Sequence, residues 1–558
     1  MSIQSNRFEQ RAEYLSKEEL LEWTADTPHS EDILSKLCGT GAKLLIGPRG
    51  SGKSTLLKRA FHRMIETGDA LPAYINYSTS MALEPLFKKD PEALKYFRQW
   101  VIMRIIKGVG ETYEHLDATI PSGLEKLVPL STKYIRHLEK GEPGKVPDRT
   151  IAPSELEEIL KNTAKNHGVN RCVLLMDDAA HAFSSEQQRE FFEIFRQLRS
   201  FNVSPKAAVY PGITSYTPYF HIGNEAELVQ VWLDPVSKTY IDTCKKIIDK
   251  RLTEKIKDTL LEDDTLFKFL ALGSFGIPRR LIIMIADILE IDNDGEKKYS
   301  IQRKNAKGVL KDDTDALMQT FSSLSDKLPR YNKYVQHGKG IIKNITNAIR
   351  LYNDSKTEDN KTALIAIKIP LSNKLKKIVN FLEYSGILRR RDEISKGSKG
   401  NFQRFLVHYG FIIRDNALSL GPSNPLEKIV ASLITQSSKS FARRSSTNIV
   451  TENFSEDCTL DLPPCQSCGA ERGSEDALFC MQCGAELADA SIYLELLASS
   501  ISKLPLTDDK IERLQDRNYN TVEDILNIQD PSDLRDIPQI GQTWAQRITS
   551  SAEEYVYV

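Results

Sequence analysis

Leu44-Leu45-Ile46-Gly47-Pro48-Arg49-Gly50-Ser51-Gly52-Lys53-Ser54-Thr55 decides the reading of this chain. The apolar start reads as a strand, the loop carries three glycines, and Leu56-Leu57-Lys58-Arg59-Ala60-Phe61 continues as a helix. The stretch fits G-x-x-x-x-G-K-[ST] without a mismatch. Backbone N–H groups converge on a phosphate only where no Cβ intervenes, which accounts for Gly47, Gly50 and Gly52. Pro48, Arg49, Ser51 and Thr55 complete the expected cradle. Lys53 is placed to reach the β- and γ-phosphates of ATP, and Ser54 to offer its hydroxyl to Mg²⁺. The start of the helix adds its partial positive charge.

A second stretch, Cys172-Val173-Leu174-Leu175-Met176-Asp177-Asp178, is an apolar strand ending in two carboxylates. Downstream of a phosphate loop, Asp177 is expected to hold Mg²⁺ through its water shell. Asp178 is expected to orient or deprotonate the attacking water.

The chain has 558 residues, with 75 Lys/Arg against 76 Asp/Glu. That length exceeds one core, and the balanced charge excludes nothing about partners. No run of about 18 uncharged apolar residues is present, so no membrane span is expected. The first residues lack a basic-then-apolar export pattern. Four of the eight cysteines are scattered and four are clustered, which fits a reducing, cytoplasmic setting with a metal site.

Around the loop, β-branched or apolar runs at Lys43–Ile46, Ala73–Tyr77, Cys172–Met176, Ala207–Tyr210 and Leu228–Leu233 alternate with helical patterns, as in parallel sheets. The phosphate loop, the Asp177-Asp178 strand and Gly276-Ile277-Pro278-Arg279 together resemble an AAA+ ATPase of the origin-recognition, initiator-like type, or the related STAND type. The resemblance covers roughly residues 30–351. It implies that Arg279 reaches the γ-phosphate from a helical lid, as a sensor arginine whose fork matches phosphate oxygens. It also implies a polar sensor just past the fourth strand, for which Thr214 is the candidate. Two features depart from the AAA+ pattern. Asp178 stands where Glu is usual, a substitution common in the STAND class. No arginine lies between Arg199 and Arg251, the interval of the arginine finger. Arg196 or Arg199, on the helical pattern after Asp178, could substitute but are expected to be solvated, so a ring with trans-acting fingers is not supported, and self-association is left open.

Residues 361–415 hold twelve Lys/Arg and four Asp/Glu. Their expected order is helix, helix, strand, basic turn, strand, with Phe405-Leu406-Val407 and Phe411-Ile412-Ile413 as strand-like runs. This resembles the winged helix that follows the lid in initiator AAA+ proteins. It implies double-stranded DNA as a partner, through Lys and Arg on phosphates. A basic protein-docking module is the alternative.

Cys465-x₂-Cys468 and Cys480-x₂-Cys483, each followed by Gly-Ala, give the spacing of a four-thiolate Zn²⁺ site and resemble a zinc ribbon. Asp536–Ile548 resembles a helix-hairpin-helix in which Gln539 replaces the first glycine. Residues 461–558 carry eighteen Asp/Glu and seven Lys/Arg, which disfavours DNA and points to a protein partner. That acidic end is also expected to cover the basic region.

The expected class is α/β: a P-loop NTPase parallel sheet core with helical lid, followed by winged helix, zinc ribbon and a small all-α domain. The expected divisions are an N-terminal helical segment (1–29), ATPase core (30–235), lid (236–352), winged helix (356–425), linker (426–463), zinc ribbon (464–488) and hairpin-like tail (489–558). The expected function is an ATP-binding, slowly ATP-hydrolysing protein that couples nucleotide state to DNA. The alternative is a STAND-like switch that recruits a protein partner.

Overall fold

The structure is a computed structural model. It describes residues 12–87, 92–179, 185–291, 299–421, 423–437, 439–472, 477, 479–487, 492–528 and 530–556. Five parallel strands form its first sheet: β1 (Lys43–Ile46), β2 (Leu71–Asn76), β3 (Cys172–Asp177), β4 (Val203–Val209) and β5 (Glu227–Gln230), in the order β2-β3-β4-β1-β5. The fold is mixed α/β, as the alternation of strands and helices implies. Both faces of the sheet are covered, which is why the strands read as unbroken apolar runs. Leu45, Val173, Leu175 and Ala208 pack with Leu57, Ala60 and Met64 of the helix Lys53–Thr67. Leu44, Leu174, Met176 and Ala207 face Trp100, Ile105 and Phe192 on the other side. Each Leu, Ile, Val, Met or Phe side chain so removed from water contributes roughly 1.5–3 kcal/mol. The strand order places the C-terminal ends of β1, β3 and β4 side by side, where an open α/β sheet presents its crevice.

Beyond β5 the chain turns helical, and residues from Tyr210 to Cys458 share one apolar core. Within it lies a second sheet, ordered Ala442–Arg444, Leu364–Lys368, Asn401–Val407, Leu388–Ser395. Here the structure departs from the sequence reading. Leu364–Lys368, expected to be helical, is a buried central strand, as its Leu-Ile-Ala-Ile run suits. Phe411-Ile412-Ile413, expected as a strand, belongs to the helix Tyr409–Arg414, whose start is capped by the His408 side chain. Residues 426–463, expected as a linker, supply the helix Leu426–Ile434, the strand Ala442–Arg444 and the buried Phe454 and Cys458.

The C-terminal residues form a separate small core around Leu496, Ile501, Leu514, Ile525, Ile537 and Ile548. It closes with the helix Gln542–Val556. Among the described residues no helix is long and apolar enough to cross a membrane.

Candidate nucleotide site

The loop after β1 turns twice through the left-handed region, at Gly50 (φ 74°) and Gly52 (φ 95°), where a side chain would strain the backbone. A Cβ on Gly50 would also stand 2.8 Å from the Cβ of Arg279, so the loop fits against the lid only as glycine. Lys53 opens the following helix. Its buried Nζ donates to the carbonyls of Gly47 (2.7 Å) and Pro48 (3.1 Å) and lies 3.9 Å from the centre of the Tyr210 ring. Burial pushes its pKa down to about 7, with Arg49 and Arg279 acting the same way and Asp178 and Asp177 opposing. The ammonium thus sits where it lacks water, and a bound anion would compensate it.

Asp177 ends β3 fully buried and accepts from the Tyr74 hydroxyl (2.8 Å) and from the backbone N–H of Asp178 (3.0 Å). Asp178 takes φ 51°, uncommon for a residue with a side chain, and accepts from the Tyr210 hydroxyl at 3.3 Å. Burial holds the Tyr210 phenol far above its ordinary pKa, so it stays a neutral donor. Arg279 follows Pro278 at the start of the helix Pro278–Ile288, and its backbone N–H donates to the Gly50 carbonyl at 3.4 Å. Gly276 accepts no side chain, because a Cβ there would collide with the Leu233 carbonyl; its N–H takes the Tyr240 hydroxyl at 2.9 Å.

These elements enclose a cavity of about 410 Å³. Arg49 through Thr55, Asp178 and Arg279 line it. Gly47, Pro48 and Asp177 are not among its lining residues. Thr214 does not line it: its hydroxyl donates to the Tyr210 carbonyl (2.8 Å) and accepts from the Tyr210 N–H (3.2 Å), fastening the turn after β4. Tyr210, at the end of β4, is the polar residue that enters the cavity. Arg196 pairs with Glu193 at 2.6 Å, and Arg199 donates to the Asn224 carbonyl at 2.6 Å. The lining also includes Trp23, Ile33, Val231, Ile247, Arg251 and Ile282, a largely apolar set of a kind that suits a base. The N-terminal segment's part in this set carries no motif. The Ser51 hydroxyl is buried without a hydrogen-bond partner, as a group awaiting a phosphate oxygen would be. The donor set therefore fits a nucleotide.

Most unexpected in the cavity is the far end of the chain. Glu554, in the terminal helix, pairs with Arg279 through one carboxylate oxygen and with Arg49 through the other (3.4 Å).

The four clustered cysteines form a second centre. Their sulfurs all lie within 4.8 Å of one another, with Cys465–Cys483 and Cys468–Cys480 each 3.6 Å apart. A tetrahedron with Zn–S near 2.3 Å has edges of about 3.8 Å, so the spacing fits a metal ion. The two halves match: Gly469 and Gly484 donate to the carbonyls of Cys465 and Cys480 at 2.8 and 2.9 Å, with φ 72° and 71°.

In the region 361–415 the arginines are engaged. Arg389 donates to the carbonyls of Trp232 (3.0 Å) and Leu233, Arg391 pairs with Asp234 (2.9 Å), and Arg390 pairs with Glu383 (2.6 Å). Lys361 is buried on the carbonyls of Asn353 (3.1 Å) and Ser419 (2.9 Å). Exposed positive charge remains at Lys368, Lys396 and Lys399, around the hairpin tip between the strands Leu388–Ser395 and Asn401–Val407, and at Lys376.

No family model and no curated protein matches the sequence. Solved structures similar to the chain include a Walker-type ATPase of Pyrococcus abyssi, with a TM-score of 0.35 and 15% identity over 74% of this chain and 100% of that one. The Aeropyrum pernix ORC2 protein in ADPNP–ADP complexes is similar with a TM-score of 0.34 and 12% identity, over 77% of this chain and 98% of that one. The Aeropyrum pernix ORC1 protein in complex with DNA is similar with a TM-score of 0.28 and 13% identity, over 75% of this chain and 96% of that one.

Proposed function

We propose that the chain is an ATP-binding, slowly hydrolysing AAA+-type ATPase that couples nucleotide state to double-stranded DNA. The observation that carries this reading is the convergence of the phosphate loop, Lys53, Asp178, Tyr210 and Arg279 on one cavity between the core and the lid. Lys53 and the loop N–H groups hold the phosphates, and Arg279 reads the terminal one. Ser54 and the buried Asp177 would hold Mg²⁺, which would supply positive charge against the phosphates. Asp178 orients the attacking water, with Tyr210 fixing one of its oxygens. Cys465, Cys468, Cys480 and Cys483 would hold Zn²⁺ as four thiolates, a structural set with no open position for chemistry.

Coupling to DNA has a short route. The turn after Tyr210 lies against the helix Asn373–Tyr384, since a Cβ on Gly212 would meet the backbone of Asn380, and the rings of Tyr210 and Tyr384 meet edge to face at 5.6 Å. A nucleotide that moves Tyr210 therefore pushes directly on the element we read as the helix of a winged module, whose tip lysines meet phosphates. The test is ATP turnover with and without duplex DNA, beside Lys53→Ala and Asp178→Asn. DNA-stimulated turnover lost in both variants supports the reading.

A second reading, a STAND-like switch that recruits a protein through residues 461–558, is favoured by the internal pairing of Arg389, Arg390 and Arg391. Retained nucleotide, no turnover and no response to DNA would establish it instead.

A further inference from the structure

The terminal helix Gln542–Val556 is tied to the nucleotide site and to the lid around it. Arg279 and Arg49, one from the lid and one from the phosphate loop, close on the two oxygens of the Glu554 carboxylate. Lys327, buried in the neighbouring helix Leu324–Lys327, donates to the backbone carbonyl of Glu554 at 3.0 Å. The Tyr14 hydroxyl donates to Glu553 at 2.8 Å. Outside the cavity, Arg547 meets Asp287 at 3.0 Å, Lys503 meets Asp326 at 2.8 Å, and the Tyr555 hydroxyl donates to Asp326 at 3.0 Å. The seating is therefore specific: one anionic side chain enters the cationic end of the cavity, and a ring of polar pairs fixes the domain that carries it.

A carboxylate is planar and a terminal phosphate tetrahedral, but each presents a pair of oxygens that a guanidinium fork can meet. Arg279 is the lid residue placed to meet the γ-phosphate. With one guanidinium nitrogen of Arg279 and one of Arg49 already on Glu554, a nucleoside triphosphate enters only by displacing the carboxylate, and the two anions cannot share the pair without strong repulsion. A nucleoside diphosphate has no third phosphate to contest the position. Its phosphates need only the backbone N–H groups of the loop, Lys53 and Ser54, none of which contacts Glu554 in the pairs described above.

We propose that Glu554 occupies the place of the terminal phosphate, so that the docked C-terminal domain makes the site selective for nucleoside diphosphates and is released by nucleoside triphosphates. This inference rests on the nucleotide-site reading above. Its consequence is that the triphosphate state frees residues 461–558, with their eighteen Asp/Glu, and the lid surface under them. The direction of coupling follows from reciprocity: whatever holds the tail elsewhere raises triphosphate affinity, and triphosphate loosens the tail.

The experiment measures binding of ADP and of adenylyl imidodiphosphate, both with Mg²⁺, to the full-length chain and to Glu554→Gln, Arg547→Glu and Lys53→Ala. If the docked state holds nine molecules in ten, its release raises the apparent triphosphate affinity about tenfold. Glu554→Gln is expected to give that gain for the triphosphate with a much smaller change for ADP. Arg547→Glu, which leaves the cavity intact but opposes Asp287, is expected to give the same selective gain. Adding Asp287→Arg to it should restore the original ratio. An ADP-to-triphosphate affinity ratio that is the same in wild type, Glu554→Gln and Arg547→Glu, with binding still dependent on Lys53, overturns the proposal and leaves the nucleotide site standing. Absence of Lys53-dependent binding of either nucleotide in all of the proteins overturns both.

Discussion

The basic region 361–415 and the acidic tail 461–558 carry opposite charge and handle it in opposite ways. In the basic region the guanidinium groups turn inward. Arg389 and Arg391 hold the second sheet to the segment after β5, and Arg390 closes on Glu383. What remains outside is a few lysines at a hairpin tip and on one helix. In the tail, many of the carboxylates stay at the surface, but Glu554 is carried into a pocket of arginines. The sequence led us to expect the acidic end over the basic region. The closest pairing instead joins the tail to the nucleotide cavity, because a narrow site with two guanidinium groups offers a carboxylate far more than solvated lysines do. Net charge describes a segment's long-range field, whereas desolvated partners decide where an individual charge goes.

The largest effect expected from breaking this contrast is at the cysteine centre. A structural Zn²⁺ contributes about 10–16 kcal/mol to a small domain with no other core. Cys468→Ser is expected to abolish stoichiometric zinc and to open the chain to protease near residues 464–487, as checked by metal analysis and mass-mapped cleavage. The tail's own core around Leu514 and Ile548 should survive, so the diphosphate preference persists. Loss of that preference would mean that the ribbon, and not Glu554, seats the tail.

The next effect lies on the basic side. Arg389→Ala removes a part-buried guanidinium from the carbonyls of Trp232 and Leu233, and each unsatisfied group costs about 1–3 kcal/mol. A Tm several degrees lower is expected, together with weaker linkage of DNA affinity to nucleotide. A Tm within a degree of wild type would show that the arginine is not what holds the sheet to the core. Smaller again is the hairpin tip. Lys396→Glu with Lys399→Glu should lower the salt dependence of duplex binding by a slope of about 2, since each phosphate contact contributes about 0.9. Nucleotide selectivity should not change. An unaltered slope would move the DNA contact away from the tip.

What the sequence made legible was local. The phosphate loop, Asp177-Asp178, the four cysteines and Gly276–Arg279 are each contained within a few residues, and backbone chemistry fixes their spacing. β4 shows where local rules mislead. Its first half holds Pro205, which argues against a central strand. Proline is tolerated there because β1 begins to pair with β4 only at Lys206, so at Pro205 the strand has a neighbour on one side alone. Leu364–Lys368 differs from the helical expectation because a run of four apolar residues does not distinguish strand from helix without knowing that it lies between two others. Tyr210 was passed over in favour of Thr214 because the hydroxyl that enters the cavity depends on which way the end of β4 faces. Glu554 was illegible for a stronger reason. Its partners, Arg49 and Arg279, lie hundreds of residues away, and no spacing rule links an exposed-looking Glu-Glu pair to a site built by another part of the chain.

The finest test of the contrast is pH. Lys327 anchors the tail through the Glu554 carbonyl, and burial pushes its pKa down to about 7; Arg49 adds to that fall, and Glu554 and Asp326 oppose it. Tyr555 and Lys503 are the other polar neighbours, and both meet Asp326. When the tail leaves, Lys327 regains water and moves back toward its ordinary value near 10.4. Between those two values the undocked state binds more protons, so docking releases protons and strengthens as pH rises from 7. The preference for ADP over adenylyl imidodiphosphate should therefore widen between pH 7 and 8.5, and the widening should vanish in Lys327→Met. A preference that narrows over this range would mean that the ammonium stays charged against the carbonyl when docked, and that the helix end holds it more firmly than burial repels it.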